Sequence, residues 1–343
     1  MERILFLEDK HFVEDEYLNY CEKEGESPDD NRTKYIEIFP KTIVNKVTSE
    51  DIGLAYSMNP YQGCEHGCIY CYARTTHEFW GYSSGLDFET KILFKRNAPQ
   101  LLEKRLNSKN WKPVNIMFSG NTDCYQPIEK KLEITREMLK VLYKFRHPVS
   151  IITKNKLVLR DLDLLKKMAR LNLVNVSVSI TTLSEETRRI VEPRTASIKN
   201  RLDTVKVLSE NGIPVNVMMA PIIPAINSHE IFNLVKKVSE LGALSAAYTI
   251  VRLNGTIGDV FIDWVHKAYP ERANKILHQI EDCHGGSLND SRYKKRMSGE
   301  GKIAEQVAIQ FGLAKRKFMK GKQFPTLDYS LFRNDFNRQI SMF

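Results

Sequence analysis

Cys64, Cys68 and Cys71 fall within eight positions of a glycine-containing polar stretch that runs from Asn59 to Arg74. Thiolates are soft ligands that suit zinc or an iron–sulfur cluster. Gly63 and Gly67 let the backbone fold sharply enough for three sulfurs to come together. No fourth cysteine follows at a matching interval. A structural zinc site is closed by four protein ligands, and ferredoxin-type clusters usually have four cysteines, so the missing thiol separates two readings. Either His66 or His77 completes a Cys3His zinc knuckle, or three thiolates hold a [4Fe-4S] cubane with one iron left open. Cys21 and Cys283 stand alone in the sequence and read as buried apolar thiols.

Such a loop needs a frame, and the chain supplies one. From residue 54 onward, short β-rich runs alternate with amphipathic helical stretches, the pattern of βα units around a parallel sheet. Strands are predicted at residues 54–58, 114–118, 149–153, 174–180, 215–220 and 246–253, and helices at residues 98–106, 132–145, 157–171 and 230–241. The fold class that fits is α/β, an incomplete (β/α)6 barrel of TIM type rather than an open doubly wound sheet. Chemistry in such barrels collects at the C-terminal ends of the strands. The cysteine loop, the turn Ser119, Gly120, Asn121, Thr122 and Asp123, the pair Thr153 and Lys154, and Ser179 all fall there. In the fourth strand Asn175, Ser177 and Ser179 alternate with valines, so they face either a ligand inside the barrel or solvent.

Three regions follow: an acidic, loosely ordered lead-in over residues 1–40, the partial barrel over 41–268, and a helical, basic extension with a tail over 269–343. The chain has 343 residues, 42% of them hydrophobic, enough for a sizeable core. Its net charge of +9 is unevenly spread, with 14 acidic against 7 basic side chains in residues 1–53 and ten basic against two acidic in residues 292–322. Basic clustering with interleaved aromatics suits nucleic acid, although a solvated surface gives the same composition. No apolar run reaches the roughly 18 residues that span a bilayer, and the first nine residues are too acidic for a signal peptide. A cytoplasmic location is expected, since a reducing compartment protects thiols that await a cluster.

The spacing Cys-x3-Cys-x2-Cys, with Tyr70 just before the last cysteine, resembles the signature of the radical S-adenosylmethionine (SAM) enzymes. Further motifs resemble the branch of that superfamily related to spore photoproduct lyase, often labelled DNA repair photolyase-like. They are Gly85-Leu-Asp-Phe-Glu-Thr90, Tyr125-Gln-Pro-Ile-Glu129 after Thr122-Asp123, Arg160-Asp161 after Thr153-Lys154, Glu192-Pro193-Arg194, Arg296-Met297 and Leu327-Asp-Tyr-Ser-Leu-Phe-Arg333. The likeness runs from about residue 40 to the C-terminus.

The resemblance implies that Cys64, Cys68 and Cys71 hold a [4Fe-4S] cluster whose open iron is chelated by SAM. One electron from an external donor then releases a 5′-deoxyadenosyl radical. It implies that Ser119, Gly120, Asn121, Thr122 and Asp123 receive the methionine end of SAM, that Tyr72 lies near the adenine, and that Lys154, Ser179 and Arg194 contact the cofactor. It makes Cys124 and Tyr125 candidates for the catalytic set. Spore photoproduct lyase places a hydrogen-donating cysteine where this chain has Gly120 or Asn121, and Cys124 lies slightly beyond. Cys124 therefore stands as either a packing or a radical-quenching thiol. The expected target is nucleic acid, for repair or modification. RNA or protein modification, or a nucleic-acid-binding module with a structural metal site, are the alternatives. Gln339, Ile340, Ser341, Met342 and Phe343 resemble the pentapeptide by which bacterial repair and replication proteins dock on the DNA sliding clamp.

Overall fold

Short runs of Val, Ile and Met build one seven-stranded sheet in the computed structural model, which describes residues 33–49 and 53–338. Its strands are β2 (Val44–Lys46), β3 (Tyr56–Met58), β6 (Ile116–Phe118), β7 (Val149–Thr153), β8 (Val174–Ser179), β9 (Val215–Ile222) and β10 (Ser245–Ile250). They are ordered β10-β9-β8-β7-β6-β3-β2, and every neighbouring pair from β3 to β10 is parallel. The six predicted strands are thus present and in the predicted order. β2 adds an antiparallel edge on β3 that the sequence pattern did not announce. Among the described residues β2 and β10 do not pair, so the barrel is open.

Alternation along the strands sorts the two faces. Val149, Ile151, Val174, Val176, Val215 and Val217 are buried in one core beneath the helices Ile134–Lys144, Leu162–Ala169, Ile198–Glu210 and Ile231–Glu240. The opposite face is polar and only partly covered. Ser57, Met117, Ser150 and Asn175 stand in register across four strands, and Ser177 stands opposite Asn216. Asn115 Nδ2 donates to Ser150 Oγ at 3.0 Å and Asn216 Nδ2 to Ser177 Oγ at 3.1 Å. Asn175, Ser177 and Asn216 remain half-buried, as the inside of an open barrel requires.

A second sheet holds β1 (Lys34–Glu37), β5 (Lys91–Phe94) and β4 (Tyr61–Gln62), with β5 central. β1 lies inside the segment read as a lead-in, so ordered backbone begins before residue 41. Pairing with β1 covers an edge of β5 that would otherwise be left open. Among the described residues no helix is long and apolar enough to cross a membrane. Cys283 is buried as expected, while Cys21 lies outside the described residues.

The C-terminal region supplies the helices Ile257–Ala268, Ala273–Asp282 and Gly301–Phe318. The last packs along the barrel, setting Phe311 tilted against Tyr248 with ring centroids 4.6 Å apart and Phe318 edge-on to Phe232 at 6.4 Å. Its 18 residues span about 27 Å at 1.5 Å per residue. Its two ends therefore lie far apart, and the basic segment 292–322 forms two surfaces where its composition suggested one.

Candidate active site

The cysteine loop leaves β3 and turns twice through left-handed glycines, Gly63 at φ 76° and Gly67 at φ 64°. A Cβ on Gly67 would sit 2.7 Å from both Arg194 Nη2 and Glu89 Oε2, so only glycine fits there. Cys64 and Cys68 are buried and Cys71 is half-buried. The Cys64 amide donates to Phe88 O at 2.8 Å, and Cys71 N donates to Cys68 O at 3.3 Å.

Two braces hold this loop, and both use residues the sequence had marked by motif. Behind it, the buried Arg74 donates from Nε to Cys68 O at 3.0 Å and from Nη1 to Ser84 O at 3.2 Å and Gly85 O at 3.0 Å. Arg74 Nη2 also meets Glu89 Oε1 at 2.5 Å, and the other Glu89 oxygen pairs with Arg194. Arg194 N donates to His66 O at 3.2 Å. On the other side Gln126 donates to Gly63 O at 3.2 Å and accepts from Glu65 N at 3.1 Å. The Glu65 carboxylate accepts from Ile128 N at 2.8 Å and from Tyr35 Oη at 2.7 Å. Glu129 accepts from Tyr61 Oη and pairs with Arg160 at 2.7 Å. Arg194, expected to contact the cofactor, is here paired with Glu89 and forms part of the loop's foundation.

The turn after β6 is strapped to the same loop. Ser119 takes a left-handed φ of 73°, with its amide on Met58 O at 3.2 Å and its hydroxyl accepting from Cys124 N at 2.7 Å. A Cβ on Gly120 would meet Ser57 Cβ at 2.9 Å, and the Gly120 carbonyl accepts from Tyr72 Oη at 2.5 Å. Asn121 is tied to the cysteine loop and its flank: its backbone N donates to Asn59 Oδ1 at 2.9 Å, and its Nδ2 donates to Gln62 Oε1 at 3.0 Å and to Thr76 Oγ1 at 3.2 Å. Thr122 Oγ1 donates to Tyr61 O at 2.8 Å. Asp123 accepts from Thr153 Oγ1 at 2.8 Å, Tyr125 N at 2.9 Å and Lys154 N at 2.7 Å, and its Oδ2 lies 3.5 Å from His66 Nδ1. The Asp123 carboxylate therefore fixes the turn.

Charge is managed beside the thiols. Burial pushes the Cys68 thiol up to about 12 and the Cys64 thiol well above its ordinary value, the latter helped by Asp123. Burial also lowers His66 to about 4, against the pull of Asp123, so its imidazole is neutral at pH 7. Burial would lower Lys154, but Cys68 and Glu192 more than offset it, and the ammonium stays charged 5.9 Å from the Tyr70 ring. Glu192 is held by Arg201 at 2.6 Å and by Tyr70 Oη. Ser179, almost wholly buried, lends its carbonyl to Arg201 Nη1 at 3.1 Å.

Cys124 and Tyr125 are not brought into this site. Both are 0% exposed and belong to the core between the sheet and its helices, with the Tyr125 hydroxyl donating to Asp161 Oδ2 at 3.1 Å. Both side chains pack in that core, while the Cys124 amide is tied to Ser119 in the turn. His66 faces Asp123 and Asn155, while His77 packs against Tyr82 and Phe88 with ring centroids at 5.2 and 5.6 Å. Cys64, Cys68 and Cys71 lie close enough to act on one another electrostatically. Glu89, Arg74, Gln126 and Arg201 were not singled out beforehand, and the only sequence signal for the first three was the motif around each.

A thiol loop at the C-terminal ends of an open parallel barrel defines a class of enzymes built to hold a cluster over a polar interior. The chain belongs to the radical SAM superfamily, whose family model matches residues 58–238. That membership implies SAM and an iron–sulfur cluster as cofactors, and the three neighbouring thiols are soft donors of the kind such a cluster takes. An uncharacterised protein of Mycobacterium tuberculosis is 30% identical over 242 residues, 70% of this chain and 71% of that one. A radical SAM Nalpha-GlyT isomerase of Pseudomonas phage M6 is 23% identical over 231 residues, 66% of this chain and 46% of that one. Spore photoproduct lyase complexed with dinucleoside spore photoproduct superposes with a TM-score of 0.60 at 14% identity, over 89% of this chain and 82% of that one. This last likeness concerns the fold.

Proposed function

We propose that the protein is a radical SAM enzyme acting on nucleic acid, in repair or modification. Cys64, Cys68 and Cys71 would hold a [4Fe-4S] cluster, which when bound would supply one electron for reductive cleavage of SAM. The chain's own residues position the reactants. Tyr72, tethered to Gly120, closes one wall beside the adenine, the backbone of residues 119–122 meets the methionine end, and Lys154 presents a fixed positive charge. Asn175, Ser177 and Asn216 offer hydrogen bonds deeper in the barrel, where a radical is kept from bulk water.

The observation that carries the nucleic-acid target is the seat of residues 292–296. Ile250 N donates to Met297 O at 2.9 Å, which sets this basic loop against the C-terminal end of β10, on the same side of the barrel as the cysteines. The dinucleoside in the spore photoproduct lyase complex is consistent with that target. A one-electron donor of the reducing cytoplasm would serve the cluster. The test is anaerobic turnover with deuterated DNA, RNA and peptide pools. Deuterium is expected in 5′-deoxyadenosine from a nucleic-acid pool, and transfer from peptides alone rejects the reading.

Two further outcomes are expected. Cys124→Ala should lose only about 1–2 kcal/mol of stability, the scale of a small core truncation, and should leave product yield unchanged. A stalled or misdirected product in that variant would restore Cys124 as a hydrogen donor. Gln339, Ile340, Ser341, Met342 and Phe343 lie outside the described residues. We propose that they dock on the sliding clamp, with Met342 and Phe343 as apolar anchors. Titration calorimetry of a peptide of residues 333–343 should give a Kd in the micromolar range, and no binding at about 100 μM rejects it.

A further inference from the structure

The helix Gly301–Phe318 divides the basic segment, and the two halves have different surroundings. At the N-terminal end of β10, Lys315, Arg316, Lys320 and Lys322 border a cavity of about 620 Å³ that also touches Ser245. Cations at a helix C-terminus answer its exposed carbonyls, and Lys322 Nζ is engaged by Ser239 O at 2.6 Å and Ala243 O at 2.9 Å. This half faces away from the cysteines, and helix chemistry accounts for it.

The other half borders the mouth. Leu253 N donates to Leu288 O at 2.9 Å and Ile250 N to Met297 O at 2.9 Å, so residues 288–297 lie along the chain that leaves β10. The same stretch touches the 3₁₀ helix Tyr72–Trp80 on another side. Thr256 Oγ1 meets Glu78 Oε1 at 2.9 Å and Ser84 Oγ at 2.7 Å. That helix starts directly after Cys71, so the chain that leaves β10 borders the cysteine loop's flank through residues 78–84 and the basic loop through residues 288–297.

Both segments carry uncovered rings. Phe79 is 91% exposed, Tyr293 55%, Tyr72 47% and Trp80 42%. Large apolar side chains gathered at a surface mark an interaction site. Cations accompany them: Lys294 Nζ lies 5.3 Å from the Tyr293 ring, Arg292 is paired with Asp290 and Glu300, and Lys295 lies 3.4 Å from Glu300, so the segment stays net basic through Lys294, Lys295 and Arg296. Rings interleaved with cations are what unpaired bases and their phosphates require, whereas a duplex hides the base faces.

We infer that Phe79, Trp80 and Tyr293 form a base-stacking rim that holds an unpaired stretch of nucleic acid beside the cysteine loop, with Lys294 and Lys295 on its phosphates. The inference rests on the nucleic-acid reading and narrows it to unpaired substrate. Fluorescence anisotropy of labelled oligonucleotides with the reconstituted full-length protein tests it, using dT15, the corresponding duplex, an RNA of equal length, and polyglutamate as competitor. A single strand should bind at least about tenfold more tightly than the duplex. Phe79→Ala, Trp80→Ala and Tyr293→Ala should each weaken it by about five- to a hundredfold. Their side chains are exposed, and unchanged thermal melting will show that the variants fold. Equal affinity for duplex, unaltered binding by all three variants, or equal competition by polyglutamate each overturn the rim. Failure of the wild type to bind any oligonucleotide instead overturns the nucleic-acid reading itself.

Discussion

Alanine at Cys64, Cys68 or Cys71 is expected to abolish iron binding and SAM cleavage together, a loss of activity to background. Each thiol in a three-cysteine set holds its own iron, so the others cannot replace it. The loop should survive these substitutions. Its shape is set by Gly63 and Gly67, by the Cys64 amide on Phe88 O, and by Arg74 on Cys68 O, none of which uses a sulfur. Iron content, the visible absorption of the reconstituted protein and release of 5′-deoxyadenosine are the measurements. The assignment is overturned if the wild type takes up one zinc and no iron after anaerobic reconstitution, or if any single variant keeps a SAM-perturbed cluster spectrum.

Much of this was legible because the strands of a parallel sheet are apolar runs, and β7, β8 and β9 announce themselves through Val and Ile. β1, β2, β4 and β5 have two to four residues each, too few for periodicity to register. Placement at strand ends followed from the order of elements and was recovered for the cysteine loop, Asp123 and Lys154. Roles were harder. Sequence distinguishes a polar residue that meets a ligand from one that holds a loop only when both partners are known. Asp123 and Arg194 resembled cofactor contacts, but their partners, Thr153, His66 and Glu89, are separated from them by 30 residues or more. Composition likewise could not show that an 18-residue helix parts the basic segment into opposite ends of the barrel.

Glu89→Gln is expected to be the most damaging substitution outside the cysteines. One buried carboxylate stands between two buried guanidiniums, Arg74 and Arg194, and the amide keeps its shape while removing its charge. Breaking a buried ion pair from one side typically costs about 3–5 kcal/mol, because the partner's charge is left uncompensated. Against the 5–15 kcal/mol total stability common to folded domains, that is a large fraction, so a fall in Tm of about 5–10 °C should follow. Arg74 retains the carbonyls of Cys68, Ser84 and Gly85, which makes Arg194 the more affected cation. Its amide on His66 O and the tight approach to Gly67 would carry the disturbance into the cysteine loop, lowering cluster occupancy as well as Tm. A second substitution separates charge from shape. Glu89→Gln with Arg194→Met removes one stranded cation and should recover part of the lost stability, giving a favourable coupling of about 1–3 kcal/mol. If Glu89→Gln melts with the wild type and loads iron equally, the brace is not what holds the cysteine loop.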